Sequence, residues 1–255
     1  MAWSVSFYPQ TVENFLRHSV VGLSFDYQIL NLVGFACYAV FNVCTFFHTK
    51  IRDEYKEVHN ENPTVEANDV FFALHACVLT SITLIQIYMY DRGNQSFAIW
   101  SKVTTLGFLV FIAIYATICA FSDSDVDAKS PKSWLSWTMS LSYIKLVISI
   151  AKYVPQVYLN HVRQSTVGWS IGNVLLDFTG GVLSVFQAFL DCSLSGNWSG
   201  IAGDPVKFGL GFISIIFDVI FMVQHYILFP DDGKVISSDG GDDAETNKTP
   251  LLPEV

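Results

Sequence analysis

The stretch from Tyr153 to Gly181 reads YVPQVYLNHVRQSTVGWSIGNVLLDFTGG, and the stretch from Phe7 to Phe35 reads FYPQTVENFLRHSVVGLSFDYQILNLVGF. At an offset of 146 positions Pro9 meets Pro155, Gln10 meets Gln156, Asn14 meets Asn160 and Arg17 meets Arg163. Ser19, Val21, Gly22, Ser24, Leu30 and Gly34 meet identical partners as well. That makes ten identities in the 26 positions from Pro9 to Gly34, and Asn31 lands on Asp177. Proline, amides, arginine and glycine held in one register mark an internal repeat, because shared apolar composition alone does not align them. The DVFF that begins at Asp69 resembles the DVIF that begins at Asp218, at an offset of 149, and extends the repeat to a third helix.

Composition says what medium the repeat is built for. The 255-residue chain is 51% apolar and 15% charged, with a mean hydropathy of +0.40. A soluble domain carries about 25% charged residues. The charges crowd into 50–66, 123–132 and 231–248, with long apolar runs between them. A helix needs about 20 residues to cross ~30 Å of hydrocarbon. Seven segments qualify as candidates: Ala2–Leu16, Leu23–Phe47, Val70–Tyr90, Val103–Phe121, Trp134–Leu159, Ser170–Leu190 and Phe208–Phe229. The first is short and holds Pro9 and Glu13, but lacks the basic start and cleavage site of a signal peptide.

The expected fold is therefore an all-α polytopic membrane protein with seven transmembrane helices. Residues 1–90 form a first three-helix bundle and 91–133 a linker helix with its loops. Residues 134–229 form a second bundle pointing the same way, and 230–255 an acidic, disordered tail. Parallel repeats of this kind build membrane carriers that hold substrate near the midplane. Much of the net charge of −9 lies in the tail, and nothing is basic enough to bind nucleic acid. The five cysteines sit in or beside the apolar runs without metal-ligand spacing, so they read as small buried hydrophobes. No metal or cofactor is expected. An intramembrane enzyme would need an HExxH or GxGD motif, and neither occurs.

Pro9 and Pro155 each remove a helical hydrogen bond and should kink their helices, a paired pattern that suggests hinges. Gln10 and Gln156 follow directly and offer amides to the freed carbonyls. Spacings of 3 and 4 put polar residues on one helix face. Asn173, Asp177, Gly180, Ser184, Gln187 and Asp191 form one stripe. Ser142, Lys145, Ser149, Lys152 and Gln156 form a second. A third holds Lys207, Gly211, Ser214, Asp218 and His225, and a fourth Tyr27, Asn31, Gly34, Tyr38 and Asn42. A charge facing lipid at mid-bilayer costs about 3 kcal/mol, so these stripes should turn inward around a hydrated cavity. Small polar residues can simply join helices. Asp177, Lys145 and Asp218 are costly for that purpose and read as functional. Asp69 fits a helix cap and a functional carboxylate equally well, with Asp218 tilting it toward function; His75 reads as a core histidine.

The paired Pro-Gln elements are those of the PQ-loop superfamily. SFYPQ, GLSFDYQILNLVGF, NDVFFALHA, SYIKL, GWSIGNVLLDFTGG and KFGLGFISIIFDVIF resemble its proton-coupled exporters of lysosomal cystine. The likeness runs from residue 4 to about 228. It implies symport of cystine and protons from an acidic lumen, lysosomal or vacuolar, to the cytosol, with the amino terminus lumenal and the tail cytosolic. It implies Asp177, Asp69 and Asp218 as proton-coupling carboxylates. Lys145, Asn173, Asp177 and Asn31 would bind substrate, and Pro9, Gln10, Pro155 and Gln156 would serve as hinges. A double zwitterion needs both charge signs and amides, which these side chains supply. Free aspartate titrates near 3.9, so coupling requires burial to raise Asp177, and Lys145 must move away, be engaged elsewhere or compete for Asp177 in one state. Relatives also carry cationic amino acids or sugars, and the KDEL-receptor type binds peptide cargo. The family's lumenal domain and tyrosine sorting signal have no counterpart here, and NKTPLL offers only a dileucine-like site for a sorting adaptor. Basic residues divide evenly between the implied sides, so charge bias fixes no orientation. Asn197 would be a lumenal glycosylation site, and a glycan on Asn94 or Asn247 would reverse the orientation.

Overall fold

The computed structural model describes residues 2–122, 126–195 and 205–230, which are helical nearly throughout. In chain order the helices are α1 (Ala2–Arg17), α2 (Phe25–Phe47), α3 (Thr49–His59), α4 (Ala67–Met89) and α5 (Ile99–Ala120). They continue as α6 (Trp134–Ala151), α7 (Tyr153–Arg163), α8 (Ile171–Ser195) and α9 (Pro205–Val223), closed by a π-helical turn over Gln224–Leu228. Among the described residues six spans are long and apolar enough to cross a membrane, with α6 and α7 counting as one, Trp134–Arg163. Helix α1 has 16 residues, fewer than the usual span. Asn197 and the tail lie outside the described residues.

Side-chain contacts fix the directions. Phe7 meets Phe72, Tyr8 meets His75, Thr11 meets Thr83 and Asn14 meets Gln86, so α1 and α4 run parallel. Asn31 meets Thr80 and Phe35 meets Phe72, so α2 runs against them. The second half repeats this. Tyr153 stacks on Phe217 and Asn160 meets Gln224, so α7 and α9 run parallel, while Asp177 meets Ser214 across an antiparallel α8–α9 pair. Between the halves, α2 crosses α6–α7 antiparallel through Tyr27–Tyr153 and Asn31–Lys152. Helix α8 crosses α1 antiparallel, with Gly172 beside Pro9 and Gly180 beside Trp3. Both triplets thus point the same way, as the repeat requires.

Polarity is arranged for lipid. The interior holds nearly as many polar as apolar residues, whereas Val103, Leu106, Leu109, Phe111, Ile114 and Ile118 stand exposed along α5. So large an apolar surface belongs against hydrocarbon. Helix α5 is tied to the bundle at its ends and middle. Asp26 accepts from Ala98 N and from the Ser101 hydroxyl, and Trp137 Nε1 donates to Ile112 O at 3.2 Å.

Three local features depart from the sequence reading. The charged stretch 50–66 is not merely loop: it carries α3, which buries Ile51 and Glu54. Glu54 Oε2 accepts from Leu135 N at 3.1 Å in the first turn of α6, one of the amides a helix start leaves unpaired. The two prolines also differ. The helix breaks at Lys152 ahead of Pro155, but α1 runs unbroken through Pro9. Finally, the third helices do not pair Asp69 with Asp218. Gln86 and Gln224 hold equivalent places, accepting from Asn14 and Asn160 at 3.0 Å each. Counting back six residues from each puts Thr80, not Asp69, in the place of Asp218.

Candidate functional site

The two Pro-Gln elements meet the opposite half of the molecule. Gln10 Nε2 donates to Gly168 O at 3.0 Å, and Gln10 Oε1 accepts from Ser170 N at 2.8 Å. Gln156 Nε2 donates to Gly22 O at 3.0 Å, and Gln156 Oε1 accepts from Ser24 N at 2.7 Å. Each glutamine also donates to the asparagine one turn on, Asn14 at 3.0 Å and Asn160 at 2.8 Å. Those asparagines donate to Gln86 and Gln224, whose amides return to the carbonyls of Thr11 and Val157. The glutamines therefore do not serve their own helices' freed carbonyls. They clamp each half to the turn that opens α2 or α8 of the other. All six amide side chains are buried, and a satisfied network in so dry a place is strong because each unmade bond is costly.

Glycine makes the close approach possible. Gly22 and Gly168 have φ of +99° and +98°. A Cβ on Gly22 would lie 2.0 Å from Val167 O, and one on Gly168 2.0 Å from Val21 O. No other residue fits either turn.

A charged layer lies next to the clamps. Lys152 Nζ donates to Asn31 Oδ1 at 2.9 Å and lies 4.6 Å from the Tyr153 ring centroid. Lys145 Nζ sits 3.5 Å over the Phe35 ring, whose other cationic neighbour is Lys152 at 5.7 Å. Across from them, Ser214 Oγ donates to Asp177 Oδ2 at 2.7 Å and stands 3.3 Å from Asp218 Oδ2. Tyr153 Oη is 3.5 Å from both Asp177 Oδ2 and Ser214 Oγ. Two buried lysines, a buried Asp218 and a half-buried Asp177 thus all belong to the second bundle, and the lysines reach across the seam to Asn31 and Phe35 of α2.

Most expected site residues converge here. Asn31 and Asn173 line one cavity together with Gln10, Thr80 and Trp169. Its volume is about 20 Å³, room for about one water and not for a solute the size of an amino acid. Among the described residues the inward stripes pack on one another, and this cavity does not extend to Lys145, Lys152, Asp177 or Asp218. Lys145 and Asp177 form no ion pair among the described residues: each is engaged elsewhere, by Phe35 and by Ser214 respectively, which is one of the arrangements expected for Lys145. Gln187 is exposed, so the inward stripe on α8 does not extend to it. Asp69 is set apart. Its carboxylate accepts from Glu66 N at 3.0 Å in a capping box, roughly 16 Å along α4 from Thr80 at 1.5 Å per residue.

The roster of expected residues missed Lys152, Ser214, Tyr153 and Trp169. Lys152 and Ser214 lie on the same stripes as Lys145 and Asp218, so the signal was present in the spacing. The aromatic pair gave none, since buried rings are ordinary in a helix bundle.

Comparison with known proteins accords with this arrangement. Residues 1–50 and 137–196 match the PQ loop repeat family, which covers both clamps. The chain is 48% identical over 231 residues to a cystinosin homolog of Caenorhabditis elegans, covering 90% of this chain and 55% of that protein. It is 47% identical over 233 residues to a cystinosin homolog of Dictyostelium discoideum, covering 89% and 77%. A more distant relative, a cystine transporter of Saccharomyces cerevisiae, is 25% identical over 238 residues and covered to 89% in both chains. The chain thus spans little more than half the length of the nematode relative. A multi-pass membrane protein built on a duplicated Pro-Gln clamp, the chain belongs to the cystinosin family of PQ-loop proteins.

Proposed function

We propose that the protein is a carrier, not an enzyme, and that it moves cystine together with protons from an acidic lumen to the cytosol by alternating access. One observation carries the reading: two lysines and two aspartates gather in the second half beside α2 of the first, where Lys152 reaches Asn31 and Lys145 rests on Phe35. Cystine carries two ammonium groups and two carboxylates, so its charges match the layer in number and sign. The name of the yeast relative supports the substrate, and the parallel repeat supports the mode of transport. On this reading the site lies in an endolysosomal or vacuolar membrane.

Proton coupling rests on the count of hydrogens around Ser214. Its hydroxyl has one proton, directed at Asp177. The 3.3 Å contact with Asp218 becomes a hydrogen bond when Asp218 carries a proton and donates it to Ser214 Oγ. A proton on Asp218 is thereby relayed through Ser214 to Asp177 as the bundles move apart. Asp69, which holds the start of α4, is on this reading a second proton-linked carboxylate apart from the Asp177–Asp218 pair. On this reading the closed clamps belong to an occluded state, and opening on either side must draw Asn31 and Phe35 of α2 away from Lys152 and Lys145.

Counterflow in proteoliposomes tests the substrate. Liposomes preloaded with unlabelled solute should accumulate labelled cystine, and arginine or glucose should neither accumulate nor compete. Exchange of arginine or glucose without cystine would assign the scaffold another cargo. Binding of peptide tails with no exchange would make it a receptor.

A further inference from the structure

Trp169 is buried, 6% exposed, and its Nε1 has no hydrogen-bond partner. A buried donor left unpaired is costly, and native structures rarely tolerate one without a ligand or water to fill the role. The indole lines the same cavity as Asn31 and Asn173. Its orientation is held from two sides. The ring meets Tyr27 edge-on at 5.0 Å, and both flanking peptide groups, Gly168 O and Ser170 N, are gripped by Gln10. The repeat gives the residue no twin: the equivalent place in the first half is Leu23, which is wholly buried. A clamp alone needs only an apolar side chain there, as Leu23 shows. An indole adds a hydrogen-bond donor on one side only.

We propose that the Trp169 indole N–H is a substrate-binding group, donating a hydrogen bond to a carboxylate oxygen of the solute in the seam. An N–H donor selects an anionic or carbonyl oxygen and offers nothing to an ammonium group. The inference rests on the transport reading above and adds to it a carboxylate subsite that is present in one half only. Because Gln10 grips the peptides on both sides of Trp169, the indole meets the solute in one fixed pose while that clamp is closed.

The test uses the full chain in detergent and two probes, cystine and cystamine, the latter having the disulfide and both ammonium groups but no carboxylates. Trp169→Phe keeps the ring and removes the donor. Its affinity for cystine should fall about tenfold or more, the worth of one hydrogen bond to a charged group. Any affinity for cystamine should be the same in variant and wild type. A second measurement needs no variant: the indole ¹⁵N–H resonance of Trp169 in the wild type should shift on adding cystine and not on adding cystamine. Undiminished cystine affinity in Trp169→Phe, or an unmoved indole resonance at saturating cystine, overturns this inference alone. A wild type that binds no cystine overturns the transport reading and the subsite together.

Discussion

Ser214 stands between two carboxylates with one proton to give. That arrangement sets the first predictions. Asp177→Asn should abolish cystine movement driven by a pH gradient, because the end of the relay can no longer take up or release a proton. Unchanged gradient-driven flux in liposomes would remove Asp177 from the mechanism. Ser214→Ala should separate coupling from exchange: counterflow of labelled cystine persists, while gradient-driven transport slows by about tenfold, the worth of one hydrogen bond to a charged group. Equal losses in both assays would mean that Ser214 only supports packing. At this scale the sequence was informative about charge and less so about partners. The 3–4 spacing turned Lys145, Asp177 and Asp218 inward, as lipid demands. It could not say that Lys145 would rest on Phe35, or that Lys152 and not Lys145 would reach Asn31. Partner choice depends on how helices distant in sequence are rotated and shifted against one another.

At the scale of helices and turns, the duplicated Pro-Gln motif is a pair of reciprocal clamps. Gly22 and Gly168 let the two turns approach at the pseudo-symmetry axis. Gly168→Ala places a methyl against Val21 O in a backbone conformation that L residues avoid. It should lower stability by roughly 2–4 kcal/mol, seen as an earlier thermal unfolding in detergent. A midpoint equal to wild type would show that the turns part easily. Glu54→Ala should cost about 1 kcal/mol by stripping the start of α6 of an acceptor, whereas Glu54→Gln, which keeps a carbonyl oxygen, should stay near wild type in the same assay. The repeat in Pro9–Gly34 and Pro155–Gly180 was legible because identical residues do identical work. The third helices misled for the opposite reason. DVFF begins a helix with a capping carboxylate, DVIF lies inside one, and four similar letters conceal different depths in the bundle. Helix α3 was hidden by its charge, since only Ile51 and Glu54 face inward and an apolar count passes over such a segment.

The whole molecule is two three-helix units joined by α5, apolar outside and polar along the seam. Hydropathy made the membrane and the six long spans plain, because a span in lipid must be long, apolar and internally hydrogen-bonded. Cavity size was beyond its reach: the same inward stripes serve an open and a closed seam, and the cavity beside Asn31 and Asn173 has a volume of only about 20 Å³. Transport through such a molecule requires movement. The clamps must open and α2 must draw away from Lys145 and Lys152 for a solute to enter from one side and leave by the other. The most direct measurement follows labelled cystine and internal pH together in liposomes holding the purified chain, with the outside made acidic. The account predicts that cystine and protons enter together, and that collapsing the gradient with a protonophore halts net cystine accumulation. Cystine entry that leaves internal pH untouched and ignores the protonophore would contradict it.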